Sequence, residues 1–143
     1  MLSQGNGHIV NTASLAGLVP GPMLAPYAAA KHAVVGLSLA LRAEAAARGV
    51  RVSVVCPGFV DTPLLSNVNP DLPQTKTGAD AVALARLTGK LYNTESLATD
   101  VLRGVARNRA VIVAPASARV AWRMTRYAPR LGMRIITSAV SRT

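Results

Sequence analysis

Two short apolar runs on either side of an alanine-rich segment constrain this chain more than any other feature. The first, GHIVNTAS (7–14), opens on glycine, continues through Ile9 and Val10, and turns polar. The second, VRVSVVCPG (50–58), is mostly valine and ends in Pro-Gly. Short apolar runs bounded by turn residues are the signature of buried strands. Between them the spacing predicts a helix from about Pro26 to Arg48. Pro26 suits the first turn, where its missing N–H costs nothing, and Gly49 suits the left-handed stop after the last turn. Val34, Leu37, Leu41 and Ala45 recur at helical spacing and mark the expected buried face. Strand, helix and strand with both strands apolar is the βαβ unit of a parallel sheet, and such crossovers are right-handed in nearly all proteins.

The flanking segments extend this α/β pattern. LAGLVPGPMLAP (15–26) carries three prolines and two glycines and reads as a loop. FVDTPLLSNVNPDLPQTKT (59–77) is irregular, and loops of that length usually act as functional lids or are disordered. Helices are expected over about 79–92 and 95–107, the second with Thr94 as N-cap and Leu97, Val101, Leu102 and Val105 inside. AVIVAP (110–115) reads as a third strand, and residues 117–140 as helical with a break at Pro129. At 143 residues, half of them apolar and 15% charged, the chain can bury one core.

The candidate chemistry starts from Tyr27 and Lys31, four apart at the front of the long helix and therefore neighbours on its surface. A free phenol titrates near ~10. A nearby ammonium favours its ionised form, which makes a tyrosine usable in acid–base catalysis. Two polar residues on an exposed helix face are the plainer reading of that pair alone. Ser14, thirteen residues earlier, follows a buried strand, and ligands of parallel sheets bind at the carboxyl ends of strands. Its hydroxyl can donate to a carbonyl oxygen and stabilise charge developing there; on its own it reads as a loop or capping serine. Pro57 and Gly58 end the next strand at the same edge, and Val60 N–H and the Thr62 hydroxyl follow in PGFVDTP.

NTAS, then YAAAK, then CPGFVDTP, in that order and spacing, resemble the C-terminal half of a short-chain dehydrogenase/reductase. The likeness is close over residues 7–63 and looser to about 115. It implies a partial Rossmann-like fold, a doubly wound parallel sheet, and hydride transfer between NAD or NADP and a small alcohol or carbonyl substrate. By this resemblance Tyr27 exchanges a proton with the substrate oxygen. Lys31 assists the phenol and bonds the nicotinamide ribose hydroxyls. Ser14 orients the carbonyl, and Pro57, Gly58, Val60 and Thr62 hold the nicotinamide end. Residues 64 to about 78 correspond to the substrate-covering segment. The family assembles as dimers or tetramers, so a homo-oligomer is expected of the full-length form.

The N-terminal half of that pattern is missing. The Gly-rich turn that carries the pyrophosphate, the residue that reads the ribose 2′ position and the Asn-Ala-Gly segment have no counterpart in MLSQGNG (1–7). Asn11 is not the family's catalytic asparagine, because it lies in the motif beside Ser14. The expectation is a truncated chain with an open sheet side and no micromolar affinity for NAD(P)H by itself. The alternative function is a non-catalytic fragment or interaction module that keeps the motif.

The net charge of +10 is uneven, with nine arginines and no acidic residue in 101–143. Residues 1–116 read as the half-domain and 117–143 as a basic amphipathic tail. In one continuous helix, Arg119, Arg123, Arg126 and Arg130 would form one stripe and Val120, Met124, Tyr127 and Leu131 the next. Three readings stand for this tail: packing on the body or a partner subunit, weak contact with an anionic membrane, or nucleic-acid binding. The last is not expected, since no base-reading motif or aromatic platform appears. His8 and His32 lack companions at metal-ligand spacing, so no metal site is expected. The single cysteine, Cys56, excludes an internal disulfide. With neither a signal segment nor a membrane span in view, the expected location is cytoplasmic.

Overall fold

A computed structural model describes residues 1–22, 24–63 and 91–141. Three strands, β1 (Gly7–Thr12), β2 (Val50–Pro57) and β3 (Val111–Ala114), form one parallel sheet in the order β1-β2-β3. Among the described residues four α-helices accompany them: α1 (Ala25–Ala46), α2 (Thr94–Ala106), α3 (Ala116–Tyr127) and α4 (Pro129–Val140). A 3₁₀ turn at Leu15–Gly17 lies inside the segment expected to be a plain loop. The architecture is α/β, matching part of a Rossmann-like fold. The helix expected over 79–92 and the covering segment at 64–78 fall outside the described residues, except Leu91 and Tyr92, which are not helical.

β2 is the centre of the sheet. Val52, Val54 and Cys56 point to one face, where Val54 and Cys56 join Ala13, Val35, Val113 and Ala118 in the core, with Trp122 packed against it. On the other face Val55 sits beside Ile112 in register, and Ile112 backs onto Gly104 of α2. Burial on both faces explains why β2 reads as a nearly unbroken valine run rather than an alternation. Among the described residues β1 has a paired strand on one side, and its Val10 is 41% exposed.

The buried face of α1 departs from the expected one at a single position. Val35, Ser38 and Ala45 are buried, whereas Leu37 is 64% exposed. Ala45 is buried as expected and Val34 and Leu41 are half-buried; only Leu37 leaves the face, and the neighbouring Ser38 is buried in its stead. Ser38 Oγ donates to Val34 O at 2.6 Å and accepts from Asn11 Nδ2 at 3.0 Å. With both roles filled, the hydroxyl is buried without an unsatisfied group. Arg42 fastens the same helix to the sheet, donating to Val52 O at 2.5 Å and to Asn108 O at 2.9 Å.

The helix ends follow local chemistry. Pro26 lies in the first turn of α1, and Gly49, with φ +70°, takes the left-handed turn after it, its Cα against the Gly5 carbonyl. The N-cap of α2 is Asn93 and not Thr94: Asn93 Oδ1 accepts from Glu95 N at 2.9 Å and Ser96 N at 3.0 Å. Leu102, expected inside, is 69% exposed. The tail breaks at Ala128, where α3 ends and Pro129 begins α4. The two stripes drawn through one helix therefore do not continue to Arg130 and Leu131.

Two glycines separate helix propensity from packing. Gly36 lies in α1 with nothing within 4 Å of an added Cβ, so Gly36→Ala should stabilise by about 0.5–1 kcal/mol. A Cβ on Gly104 would come 2.6 Å from Ile112 Cδ1 and Cγ1 and 3.0 Å from Cγ2. Those branched atoms cannot all swing clear, so overpacking of ~1–3 kcal/mol should outweigh the ~1 kcal/mol gain in propensity. Urea unfolding of both variants is expected to move the midpoint in opposite directions.

Candidate active site at the carboxyl edge of the sheet

The parallel ladder brings the candidate residues to one edge. Beyond β1, Ala13 N–H still donates to Val55 O at 2.8 Å, and beyond β2, Gly58 N–H donates to Ala114 O at 2.8 Å. Ser14 and Gly58 therefore leave the sheet side by side at its carboxyl end. The return to the start of a parallel β2 begins α1 at that same end, and this sets Tyr27 and Lys31 there.

Lys31 is the hinge of the arrangement. Its Nζ lies 5.5 Å from the centre of the Tyr27 ring and donates to Thr12 O at 3.5 Å. The ammonium thus sits over the ring face, where the ring quadrupole attracts a cation, and it also touches the last carbonyl of β1. Tyr27 is 42% exposed, which leaves it accessible to a ligand. Ser14 caps the 3₁₀ turn: its Oγ accepts from Ala16 N at 3.2 Å. This is the capping role that its position suggested, and a hydroxyl that accepts there still has its proton to donate.

Gly17 sets the distance between the Ser14 turn and α1. A Cβ there would lie 2.6 Å from the Lys31 carbonyl oxygen and 3.1 Å from Val35 Cγ2. Only a glycine lets the turn approach the helix backbone this closely.

The segment after β2 is clamped from a distance in sequence. Asp61 N–H donates to Tyr92 O at 2.9 Å, and Tyr92 N–H donates to Phe59 O at 2.9 Å. In this parallel bridge between Val60 and Tyr92, the N–H and C=O of Val60 point away from Tyr92. Thr62 follows, half-buried. Tyr92 is anchored in turn, donating from its hydroxyl to Asp100 Oδ2 at 3.0 Å. Burial, that hydrogen bond and the Asp100 charge push the phenol above its usual range. Asp100 also faces Arg119 at 3.9 Å and Arg103 at 4.0 Å. Tyr92, Asp100 and Gly17 were not singled out from the sequence. Gly17 carried only the trace of a glycine between two apolar residues, and nothing local marks a residue 32 positions from its partner.

Cys56 lies behind Ser14 and is fully buried. Burial pushes its thiol up to about 11, opposed by a backbone hydrogen bond with Ser14. It is a packing residue rather than a nucleophile. His8 donates through Nε2 to Ser53 Oγ at 2.8 Å, and Ser53 donates onward to Arg109 O at 2.6 Å. Burial, then Arg51 and Arg42, lower the His8 pKa. Among the described residues, no group of three His, Cys, Asp or Glu side chains is placed to hold a metal ion.

Comparison with known proteins gives the family. The family model described as short chain dehydrogenase matches residues 1–73, so the chain belongs to the short-chain dehydrogenase family. It is 43% identical over 76 residues to a D-beta-hydroxybutyrate dehydrogenase of Rhizobium meliloti, a match covering 53% of this chain and 30% of that protein. It is 34% identical over 112 residues to a 3-oxoacyl-[acyl-carrier-protein] reductase of Synechocystis, covering 66% of this chain and 45% of that protein. A short chain dehydrogenase/reductase from Burkholderia phymatum, solved in complex with NAD, superposes with a TM-score of 0.73 at 31% identity. That superposition covers 92% of this chain and 51% of the other. The chain thus spans less than half the length of these two curated relatives.

Two outcomes test this geometry. Gly17→Ala should cost ~1–3 kcal/mol and shift the amide signals of Ser14 and Ala16 in a heteronuclear NMR spectrum, because the blocking atom is backbone and cannot yield. For Cys56, a folded-state pKa above the unfolded value stabilises the fold below pH 9. That contribution is lost as pH rises from 9 towards 11. It is worth on the order of 2–3 kcal/mol at ~1.4 per unit. Denaturation at pH 8 and pH 11 should show a larger loss for the native chain than for Cys56→Ala.

Proposed function

We propose that this chain carries the catalytic half of a nicotinamide-dependent oxidoreductase acting on a small alcohol or carbonyl compound. The observation that supports the reading most is the convergence of Ser14, Tyr27, Lys31 and the Gly58–Thr62 segment on one sheet edge. A family member solved with NAD, and relatives named as a dehydrogenase and a reductase, support the same chemistry.

The donor set fits the nicotinamide end of such a cofactor. Lys31 carries three N–H donors and spends one of them on a long contact with Thr12 O. The others suit a pair of ribose hydroxyls. Val60 N–H, turned away from Tyr92, and the Thr62 hydroxyl suit a carboxamide, with Pro57 and Gly58 as the wall beneath. A bound nicotinamide gives or takes the hydride.

The chain's own residues handle the proton and the oxygen. Tyr27 Oη donates its proton to the carbonyl oxygen during reduction and accepts it during alcohol oxidation. Lys31 holds positive charge beside the ring while the phenol is ionised. Ser14 Oγ–H donates to the same oxygen, fixing its orientation and sharing its developing charge. Tyr92 keeps Phe59–Asp61 in place, so that Val60 N–H has a fixed direction.

The test is NADH- or NADPH-linked turnover of ketones and secondary alcohols. It is run on this chain and on the chain fused to the part of the Burkholderia phymatum enzyme that the superposition leaves uncovered. Tyr27→Phe should lower turnover by ~10²–10⁴ while cofactor binding, followed by fluorescence, is retained. Turnover that survives Tyr27→Phe would overturn the assignment. A fusion that folds and binds cofactor but never turns over would favour an interaction module.

A further inference from the structure

The two C-terminal helices present a surface that the candidate site does not use. On α3, Ala118 and Trp122 face the core. The outward line of the same helix holds Val120 at 64% and Tyr127 at 80% exposure, with Arg123 between them. On α4, Leu131, Met133 and Ile135 are all about half exposed. An open depression along α4 is lined by Arg130, Met133, Arg134, Thr137 and Ser138. α4 packs on α3 through Gly132, where an added Cβ would meet Thr125 at 3.0 Å. That packing leaves these outer side chains uncovered.

Charge decides what covers them. Residues 101–143 hold nine arginines and no acidic residue, and Arg119 alone of the arginines on α3 and α4 has an acidic neighbour, Asp100, among the described residues. A second copy of this surface would oppose arginines to arginines. A nucleic acid would answer the charge and leave five large apolar side chains in water. An anionic bilayer surface answers both, with phosphates for the guanidinium groups and an acyl boundary for the apolar side chains. No described helix is long and apolar enough to cross a membrane, so the geometry is that of helices lying in the surface plane.

We propose that α3 and α4 attach this chain to anionic lipid surfaces. Val120, Tyr127 and Leu131 enter the headgroup boundary, and Arg123, Arg130 and Arg134 meet lipid phosphates. The first turn of α3 backs onto Gly58 through Ala118, but none of the residues named here is among those assigned to the nicotinamide edge, so this proposal does not rest on the redox chemistry.

Co-flotation of the full chain with vesicles tests it, because aggregated protein does not float. The chain should float with vesicles containing about a third phosphatidylglycerol and remain at the bottom with phosphatidylcholine alone. Added salt should release it. Arg123→Gln/Arg130→Gln/Arg134→Gln should weaken binding on the order of 100-fold. Tyr127→Ser/Leu131→Ser should weaken it about tenfold or more with the salt dependence kept. Absence of flotation, equal flotation with both vesicle types, or full binding by either folded variant would overturn the proposal. So would a salt-sensitive complex with duplex DNA or RNA that excludes vesicles, or a stable dimer that buries Tyr127 without lipid.

Discussion

The parallel pairing of β2 with a strand on each side is the constraint on which the rest depends. In a parallel ladder all carboxyl ends lie at one edge, and each connection must cross a face of the sheet to return. The pairs Thr12↔Val55 and Pro57↔Ala114 end β1, β2 and β3 within a residue or two of one another. Every segment leaving that edge therefore begins beside the others. Ser14, the first turns of α1 and the residues after Pro57 come together for this reason, although up to 48 positions separate Ser14 from Thr62.

The apolar core fixes that edge in space, and a small set of buried polar contacts fixes its register. Ser38 ties α1 to β1 through Asn11, and Arg42 ties it to the Val52 carbonyl. Ser53, fully buried, links His8 to the Arg109 carbonyl ahead of β3. Each contact is satisfied at both ends, so it costs little desolvation and admits few alternative registers. The Tyr92–Asp100 pair extends the same principle to the loop after β2.

Much of this was legible in the sequence. Valine runs, Pro26 and Gly49 located the βαβ unit, and AVIVAP located the third strand. The spacing from Ser14 to Tyr27 to Lys31 named the residues that the fold brings to the edge. What was not legible has a common cause. Ser38 counts as polar in any periodicity, yet two hydrogen bonds let it be buried where Leu37 was expected. Asn93 outranks Thr94 as a cap through contacts with Glu95 and Ser96. The clamp by Tyr92 is a long-range pairing with no local trace. The break at Pro129 was legible, but the two stripes were drawn across it to Arg130 and Leu131.

The central claim is that Ser14, Tyr27, Lys31 and residues 57–62 form a single nicotinamide-binding edge. Amide chemical-shift mapping with nicotinamide mononucleotide, which carries only that end of the cofactor, tests it most directly. The account predicts saturable shifts concentrated at Ser14, Lys31, Gly58, Val60 and Thr62, with α4 unaffected. Shifts confined to the arginines of α3 and α4, with the sheet edge silent, would contradict it.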